Sequence, residues 1–311
     1  MASTPLLIIL GPTASGKTKI AVALANALDG EIISADSRQV FRGMDIGTGK
    51  DLDEYVINGH QIPYHLIDIK NPGEKYNVDA FKEDFYEAFK EITHANKLSI
   101  LCGGTGMYIH SLLQPHDFTS IPVNDEIRNT FAQKTIDELK QALAIYPVEF
   151  TKHADLSSSK RIIRAIEIAV WLSIHGVPKK KVRPTIEPLV IGLTSDVESR
   201  RKRIEERLDL RLNNGLIEEV EDLLYRGVSK EVLAFYGLEY KYVVSFLSKE
   251  ISREELRERL YIAIRQYSKR QMTFFRKMEK DGVKIHWFDT LQGLEDIKKD
   301  VLERYVQAFG N

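Results

Sequence analysis

Residues Gly11-Pro12-Thr13-Ala14-Ser15-Gly16-Lys17-Thr18 fit the pattern G-x-x-x-x-G-K-T, whose spacing suits the binding of a di- or triphosphate. Gly11 and Gly16 let the backbone curl so that successive N–H groups face one anion, and a following helix adds its positive end. Lys17 would reach the terminal phosphates and the Thr18 hydroxyl would serve Mg²⁺, so all eight residues are expected at a diphosphate or nucleotide. Asp36, heading Asp36-Ser37-Arg38-Gln39, is a carboxylate able to take a proton or hold a metal. Cations gather at Lys179-Lys180-Lys181 with Arg183, at Arg200 to Arg203, and from Arg265 to Lys277. Each such cluster can be a solvated helix face; several in one near-neutral chain suit a local polyanion surface.

The elements that must position these groups can be read in order. The apolar run Leu6–Leu10 precedes the glycine-rich loop, and Ile20, Leu24 and Leu28 follow at helical spacing, which is the strand, loop and helix a P-loop requires. Residues 31–35 read as a second strand, which brings Asp36 to the same rim if the sheet is parallel. Gly43, Gly47 and Gly49 mark a flexible loop carrying Thr48 and Lys50, and His65–Ile69 reads as a short strand. Phe81, Phe85, Phe89 and Ile92 form a helical core stripe. Leu98–Cys102 is a buried strand entering Gly103-Gly104-Thr105-Gly106, with a helix through Tyr108, Ile109 and Leu112. It ends without Asp or Glu, which counts against a routine ATPase.

From 121 to 185 the alternation stops and helical patterns dominate, including Ser159–Leu172. A strand returns at Leu189–Leu193. Helices follow from Val197 to a break at Gly215 and on to Gly227, then over 254–279. Val283–Phe288 is a last strand, and an amphipathic helix comes after it. The expected fold is therefore α/β: a P-loop NTPase-like parallel sheet flanked by helices, with a discontinuous core (1–120 and 186–311) and a helical insertion at 121–185. In the 254–279 helix, Leu260, Ile264, Tyr267, Gln271, Phe274 and Met278 share one face. Arg265, Lys269, Met272 and Arg276 share another, either solvated or offered to an anion.

The 311 residues carry a net charge of −1, so no global field draws in a polyanion. No apolar run approaches the roughly 18 residues of a membrane span, and the first apolar run lacks the charged segment that precedes a signal sequence. The single Cys102 rules out an internal disulfide and a Cys-rich metal site, which fits a reducing cytoplasm.

Taken together, the motifs resemble the tRNA dimethylallyltransferases (tRNA isopentenyltransferases). The resemblance rests on Gly11–Thr18, Ser34-Ala35-Asp36-Ser37-Arg38-Gln39-Val40-Phe41, Met44-Asp45-Ile46-Gly47-Thr48-Gly49-Lys50 and Gly103-Gly104-Thr105-Gly106-Met107-Tyr108. Lys160–Glu167 and Lys269-Arg270-Gln271-Met272-Thr273-Phe274 complete a set in family order over nearly the whole chain. The resemblance implies transfer of a dimethylallyl group from its diphosphate to N6 of adenine 37, beside the anticodon of tRNAs that read codons beginning with U. It implies Mg²⁺ with Thr18 as ligand, Asp36 as base, and Lys17, Thr18 and Arg265 at the pyrophosphate, Arg265 being carried over as the family's pyrophosphate-binding arginine. Asp36, Ser37, Arg38, Gln39, Thr105, Lys269 and Arg270 would contact the anticodon loop, and Arg128, Lys160, Arg161 and Arg164 would supply the insertion's tRNA contacts. Ordinary ion pairing is the other reading of Arg164, one turn from Glu167. A monomer acting away from membranes is expected.

The sequence also departs from the family pattern. Ile264 stands where Thr is usual, Gly237-Leu238-Glu239 replaces a Gly-Tyr-Lys type of stretch, Ser157-Ser158-Ser159 replaces Asn-Asp, Lys160 replaces Gln and Phe274 replaces Trp. No Cys/His zinc-finger extension is expected. Three alternatives stay open: a P-loop small-molecule or nucleotide kinase, a prenyltransferase acting on free adenine nucleotides, and a nucleotide-switched RNA-binding module. The last leaves Asp36 without a task.

Overall fold

The computed structural model describes residues 3–116, 118–179 and 181–310; Lys180, one of the clustered cations, lies outside them. The chain divides into two compact units, one formed by Met1–Gln114 with Pro184–Asn311 and the other by Pro115–Arg183.

In the first unit, β1 (Thr4–Leu10) leads into α1 (Lys17–Ala27) and β2 (Gly30–Ser34). A small antiparallel hairpin, β3 (Val56–Ile57) and β4 (His60–Gln61), precedes β5 (Tyr64–His65). Then come α2 (Val78–His94), β6 (Leu98–Gly103) and α3 (Gly106–Leu113); after the second unit, β7 (Ile186–Thr194) re-enters the sheet. With β8 (Ile285–Asp289), six strands lie in the order β5-β2-β6-β1-β7-β8, every neighbouring pair parallel.

The continuous apolar run of β1 follows from its central place, since helices cover both faces of the sheet and Leu6 to Leu10 are fully buried. Leu7 and Ile9 pack with Ile20 and Leu24 of α1 and with Ile297 and Val301 of α13 (Leu294–Phe309). Leu6, Ile8 and Leu10 face the Phe81, Phe85 and Phe89 stripe of α2 together with Phe275 and Met278 of α12 (Arg253–Lys280). The strand period of two thus sorts one run into two cores.

One strand is shorter than its sequence suggests. Of 65–69, only His65 belongs to β5, because Leu66 and Asp68 take the left-handed conformation (φ 63° and 57°) and break the extended chain. Asp68 is thereby turned toward the buried Lys50.

Between β7 and β8 run α8 (Val197–Asn213), α9 (Leu216–Tyr225), α10 (Lys230–Tyr236), α11 (Leu238–Leu247) and α12, of which α10 and α11 were not anticipated. Gly215, at φ 101°, makes the turn between α8 and α9 that the sequence placed there. A third core joins Ile204, Leu208 and Leu212 of α8 to Val243, Leu256 and Leu260, and also to Val40, Phe41 and Met44 after β2. That packing fixes α8 and α12 against the rim where the glycine loops lie.

The second unit is helical: α4 (Asp125–Phe131), α5 (Ile136–Ala144), α6 (Val148–Thr151) and α7 (Ser159–His175) enclose Leu139, Leu143, Ile162, Ile166 and Ala169. Among the described residues, no helix is long and apolar enough to cross a membrane.

Candidate active site

A cavity of about 550 Å³ opens at the carboxyl ends of β1 and β2, where an open parallel sheet presents its ligands. Its walls are the loop from Thr13 to Lys19, the segment from Asp36 to Gln39, a second loop at Gly47 to Gly49 with Asp51, residues of α8, the α10–α11 turn and one face of α12.

The P-loop curls through Ala14 (φ 59°) and Gly16 (φ 75°) just ahead of α1, the kind of backbone curl in which successive amides can gather on one anion. Gln271 of α12 holds it in place. The Thr13 N–H donates to its Oε1 at 2.8 Å, and its Nε2 donates to the Gly104 carbonyl at 3.0 Å. One buried amide therefore clamps both glycine-rich loops, and a Cβ at Gly104 would collide with it. Gly11 and Pro12 lie behind the wall; Thr13, Ala14, Ser15, Gly16, Lys17 and Thr18 line it. Burial pulls the Lys17 proton affinity down, while Asp36 and Asp51 act to hold its charge. The Ser15 hydroxyl is buried without a hydrogen-bond partner among the described residues.

Asp36 follows β2 because Ala35 is locked to β6: its N–H donates to the Cys102 carbonyl at 2.8 Å, and its own carbonyl accepts the Thr105 N–H at 3.1 Å. Asp36 Oδ1 accepts the Arg38 N–H at 2.9 Å, which fixes the carboxylate at the cavity wall. The Ser37 N–H donates to Thr105 Oγ1 at 3.1 Å, so Thr105 supports the segment without lining the cavity. Gln39 accepts from the Ser34 hydroxyl at 2.9 Å and donates to the Gly49 carbonyl at 3.0 Å, tying the second loop to β2. Lys50, the cation in the glycine-marked loop, is a buried pin rather than a ligand. Its ammonium donates to the Phe41 carbonyl at 2.8 Å and to Asp45 at 2.6 Å, and also meets Asp68. Cys102 is a buried free thiol, its pKa pushed up by burial to about 12.

Arg265, assigned to the pyrophosphate by resemblance, stands on α12. It does not line the cavity; its guanidinium lies over the Tyr261 ring, 5.1 Å from the centroid. The reason is helical phase, since Ile264, Tyr267 and Gln271 face the cavity and Arg265 is turned about 100° away from Ile264. The arginines at the P-loop come instead from α8: Arg203, Arg207 and Arg211, at i, i+4 and i+8. Of this stripe only Arg203 falls within a basic cluster of the sequence; Arg207 and Arg211 stand outside the clusters and were not singled out. Arg207 Nη2 meets Asp51 Oδ2 at 2.5 Å, and Arg211 Nη2 lies 3.6 Å from Asp51 Oδ1. Asp51, Glu54, Phe235 and Glu239 also line the cavity and were not foreseen.

Of the residues expected at RNA, Asp36, Ser37, Arg38, Gln39 and Arg270 line the cavity, while Lys269 is exposed and outside it. In the helical unit Lys160 is exposed, and Arg161 pairs with Asp155 at 2.9 Å. Arg128 and Arg164 converge on the buried Glu167 at 2.8 and 3.0 Å, and Arg164 also donates to the carbonyls of Phe118, Ile121 and Pro122. Ion pairing is what Arg164 does here, and it leaves that guanidinium little capacity for a phosphate.

Comparison with known proteins adds an independent line. Residues 39–278 match the family model described as IPP transferase, and residues 4–67 match that of isopentenyl transferase. The chain is 48% identical over 296 residues to tRNA dimethylallyltransferase 1 of Parabacteroides distasonis, covering 95% of this chain and 96% of that protein. Against tRNA dimethylallyltransferase 1 of Azobacteroides pseudotrichonymphae the identity is 50% over 292 residues, covering 92% and 94%. Among solved structures, a tRNA isopentenylpyrophosphate transferase of Staphylococcus epidermidis superposes with a TM-score of 0.69 at 30% identity, covering 98% of this chain and 99% of that one.

Proposed function

The chain belongs to the IPP transferase family, and from that premise we propose that it transfers a dimethylallyl group from dimethylallyl diphosphate to N6 of adenine 37 in tRNAs reading codons that begin with U. The observation that carries this reading is a single cavity in which a P-loop, a carboxylate at a strand end and an arginine stripe face one another.

An exocyclic adenine amine is a weak nucleophile, so the allylic carbon must gain positive charge as its bond to the diphosphate oxygen breaks. The amides of 13–18, Lys17 and Arg207 are placed to stabilise the negative charge growing on the departing pyrophosphate. N6 then bonds to the allylic carbon, and Asp36 takes the N6 proton. Mg²⁺ fits this donor set. Thr18 lines the cavity next to Lys17, and its hydroxyl would share the ion with the diphosphate's own oxygens, as Mg²⁺ commonly binds. Bound there, it would add positive charge at the leaving group.

The target base must leave its stack to enter such a cavity. Ser37, Arg38 and Arg270 are the groups best placed to receive its nucleotide, with Gln39 holding the wall. We assign Lys160 and Arg161 to the surrounding tRNA backbone, and expect a cytoplasmic monomer.

The test is substrate choice. With Mg²⁺ and dimethylallyl diphosphate, unmodified tRNA should gain one dimethylallyl group at adenine 37 while AMP gains none. Prenylated AMP with unreacted tRNA would overturn the RNA assignment, and phosphorylated product from ATP would favour a kinase.

A further inference from the structure

Asp51 is the negative group closest to the α8 arginines, and the backbone places it there. The loop before it is fixed at several points. Glu219 accepts the N–H groups of Asp45, Ile46 and Gly47 at 2.7, 2.7 and 3.0 Å and is itself held by the Tyr240 hydroxyl at 2.7 Å. Lys50 is buried on Phe41 and Asp45, and Gln39 holds the Gly49 carbonyl. Gly49, at φ 65°, lies so close to both guanidiniums that a Cβ would collide with Arg207 and Arg211. Asp51 then adopts φ 45°, a left-handed conformation that aspartate tolerates, and its carbonyl accepts the Glu54 N–H at 2.9 Å. Its two carboxylate oxygens are thereby divided between two arginines.

The electrostatics agree with this geometry. Burial acts against the Asp51 charge, but Arg207 and Arg211 more than reverse it and hold the carboxyl below its usual range. Arg211 is itself disfavoured by burial and by Arg207, with Asp51 and the half-buried Glu239 opposing both. Pairing is nevertheless incomplete: Arg211 Nη2 and the Nε and Nη2 of Arg203 are buried without a hydrogen-bond partner among the described residues. Two guanidiniums so close repel each other unless an anion lies between them, and unpaired buried N–H groups call for an acceptor.

We propose that Asp51 is an exchangeable counter-ion, holding Arg207 and Arg211 whenever no diphosphate is bound and yielding them when one arrives. The inference rests on the diphosphate reading of this cavity. A carboxylate and a diphosphate competing for the same two guanidiniums repel one another. Asp51 therefore lowers affinity for substrate diphosphate and hastens the loss of pyrophosphate after transfer.

The test is calorimetric titration with inorganic pyrophosphate in Mg²⁺-free buffer, comparing the natural chain with Asp51→Asn. The amide keeps the shape and removes the charge; Asp51→Ser serves as second variant should the amide disturb the loop. The Kd for pyrophosphate should fall by at least about fivefold, and in steady-state transfer the pyrophosphate inhibition constant should fall with it. Unchanged or weaker binding would overturn the counter-ion role and leave Asp51 as a support for the arginines. If the natural chain binds no pyrophosphate, the diphosphate reading fails first and the inference with it.

Discussion

Asp36→Asn is expected to lower the rate of dimethylallyl transfer by at least about a hundredfold while leaving pyrophosphate affinity within about twofold. The asymmetry follows from placement. Asp36 stands at the end of β2, oriented by the Arg38 N–H at 2.9 Å, on the same wall as the P-loop but outside the curl of amides that would hold phosphate. Asparagine preserves that hydrogen bond and the local turn, so the segment should keep its shape. What is lost is the acceptor for the N6 proton, together with a negative charge that acts to keep Lys17 protonated. Single-turnover rates with prebound dimethylallyl diphosphate separate chemistry from binding. Near-normal turnover would remove Asp36 from the mechanism.

Arg207→Ala is expected to weaken pyrophosphate binding by at least about tenfold, since a charge-assisted contact in a partly buried cavity is lost and Asp51 is left beside one arginine instead of two. Arg265→Ala, by contrast, should change that affinity by less than about twofold, because its guanidinium lies on Tyr261 on another face of α12. The pair of titrations sets Arg265, assigned by sequence resemblance, against Arg207, which lines the cavity. A large loss at Arg265 with none at Arg207 would reverse the assignment made from the structure.

The difference between these two arginines shows where sequence stops being informative. Gly11 to Thr18 and Leu6 to Leu10 carry local constraints, namely backbone curl, burial and strand period, and the structure follows them closely. Gly215 likewise marked a real helix boundary, whereas the unbroken apolar run of β1 gave no sign of which residues face which side of the sheet. Arg203, Arg207 and Arg211 repeat every four residues next to Ile204, Leu208 and Leu212, the ordinary pattern of any amphipathic helix with a wet face. Which residues of that face meet a ligand depends on where α8 lies beyond β7, and this is set by packing against α12 and Val40–Met44. Lys50 shows the same limit. Among Gly43, Gly47 and Gly49 it reads as part of a flexible loop, yet Asp45 and Asp68 hold it as a buried pin. Arg128 and Arg164 were legible as cations, but their shared partner Glu167 comes into reach of Arg128 only once α4 packs on α7.

The central claim is that the cavity keeps the phosphates and gives up the carbon chain. A doubly labelled donor tests it most directly, with carbon-14 in the dimethylallyl group and phosphorus-32 in the diphosphate, incubated with Mg²⁺ and unmodified tRNA. Carbon-14 is expected on adenine 37, and all phosphorus-32 is expected as pyrophosphate, one for each group transferred. Phosphorus-32 in the RNA, or pyrophosphate released without prenylated adenine, would contradict it.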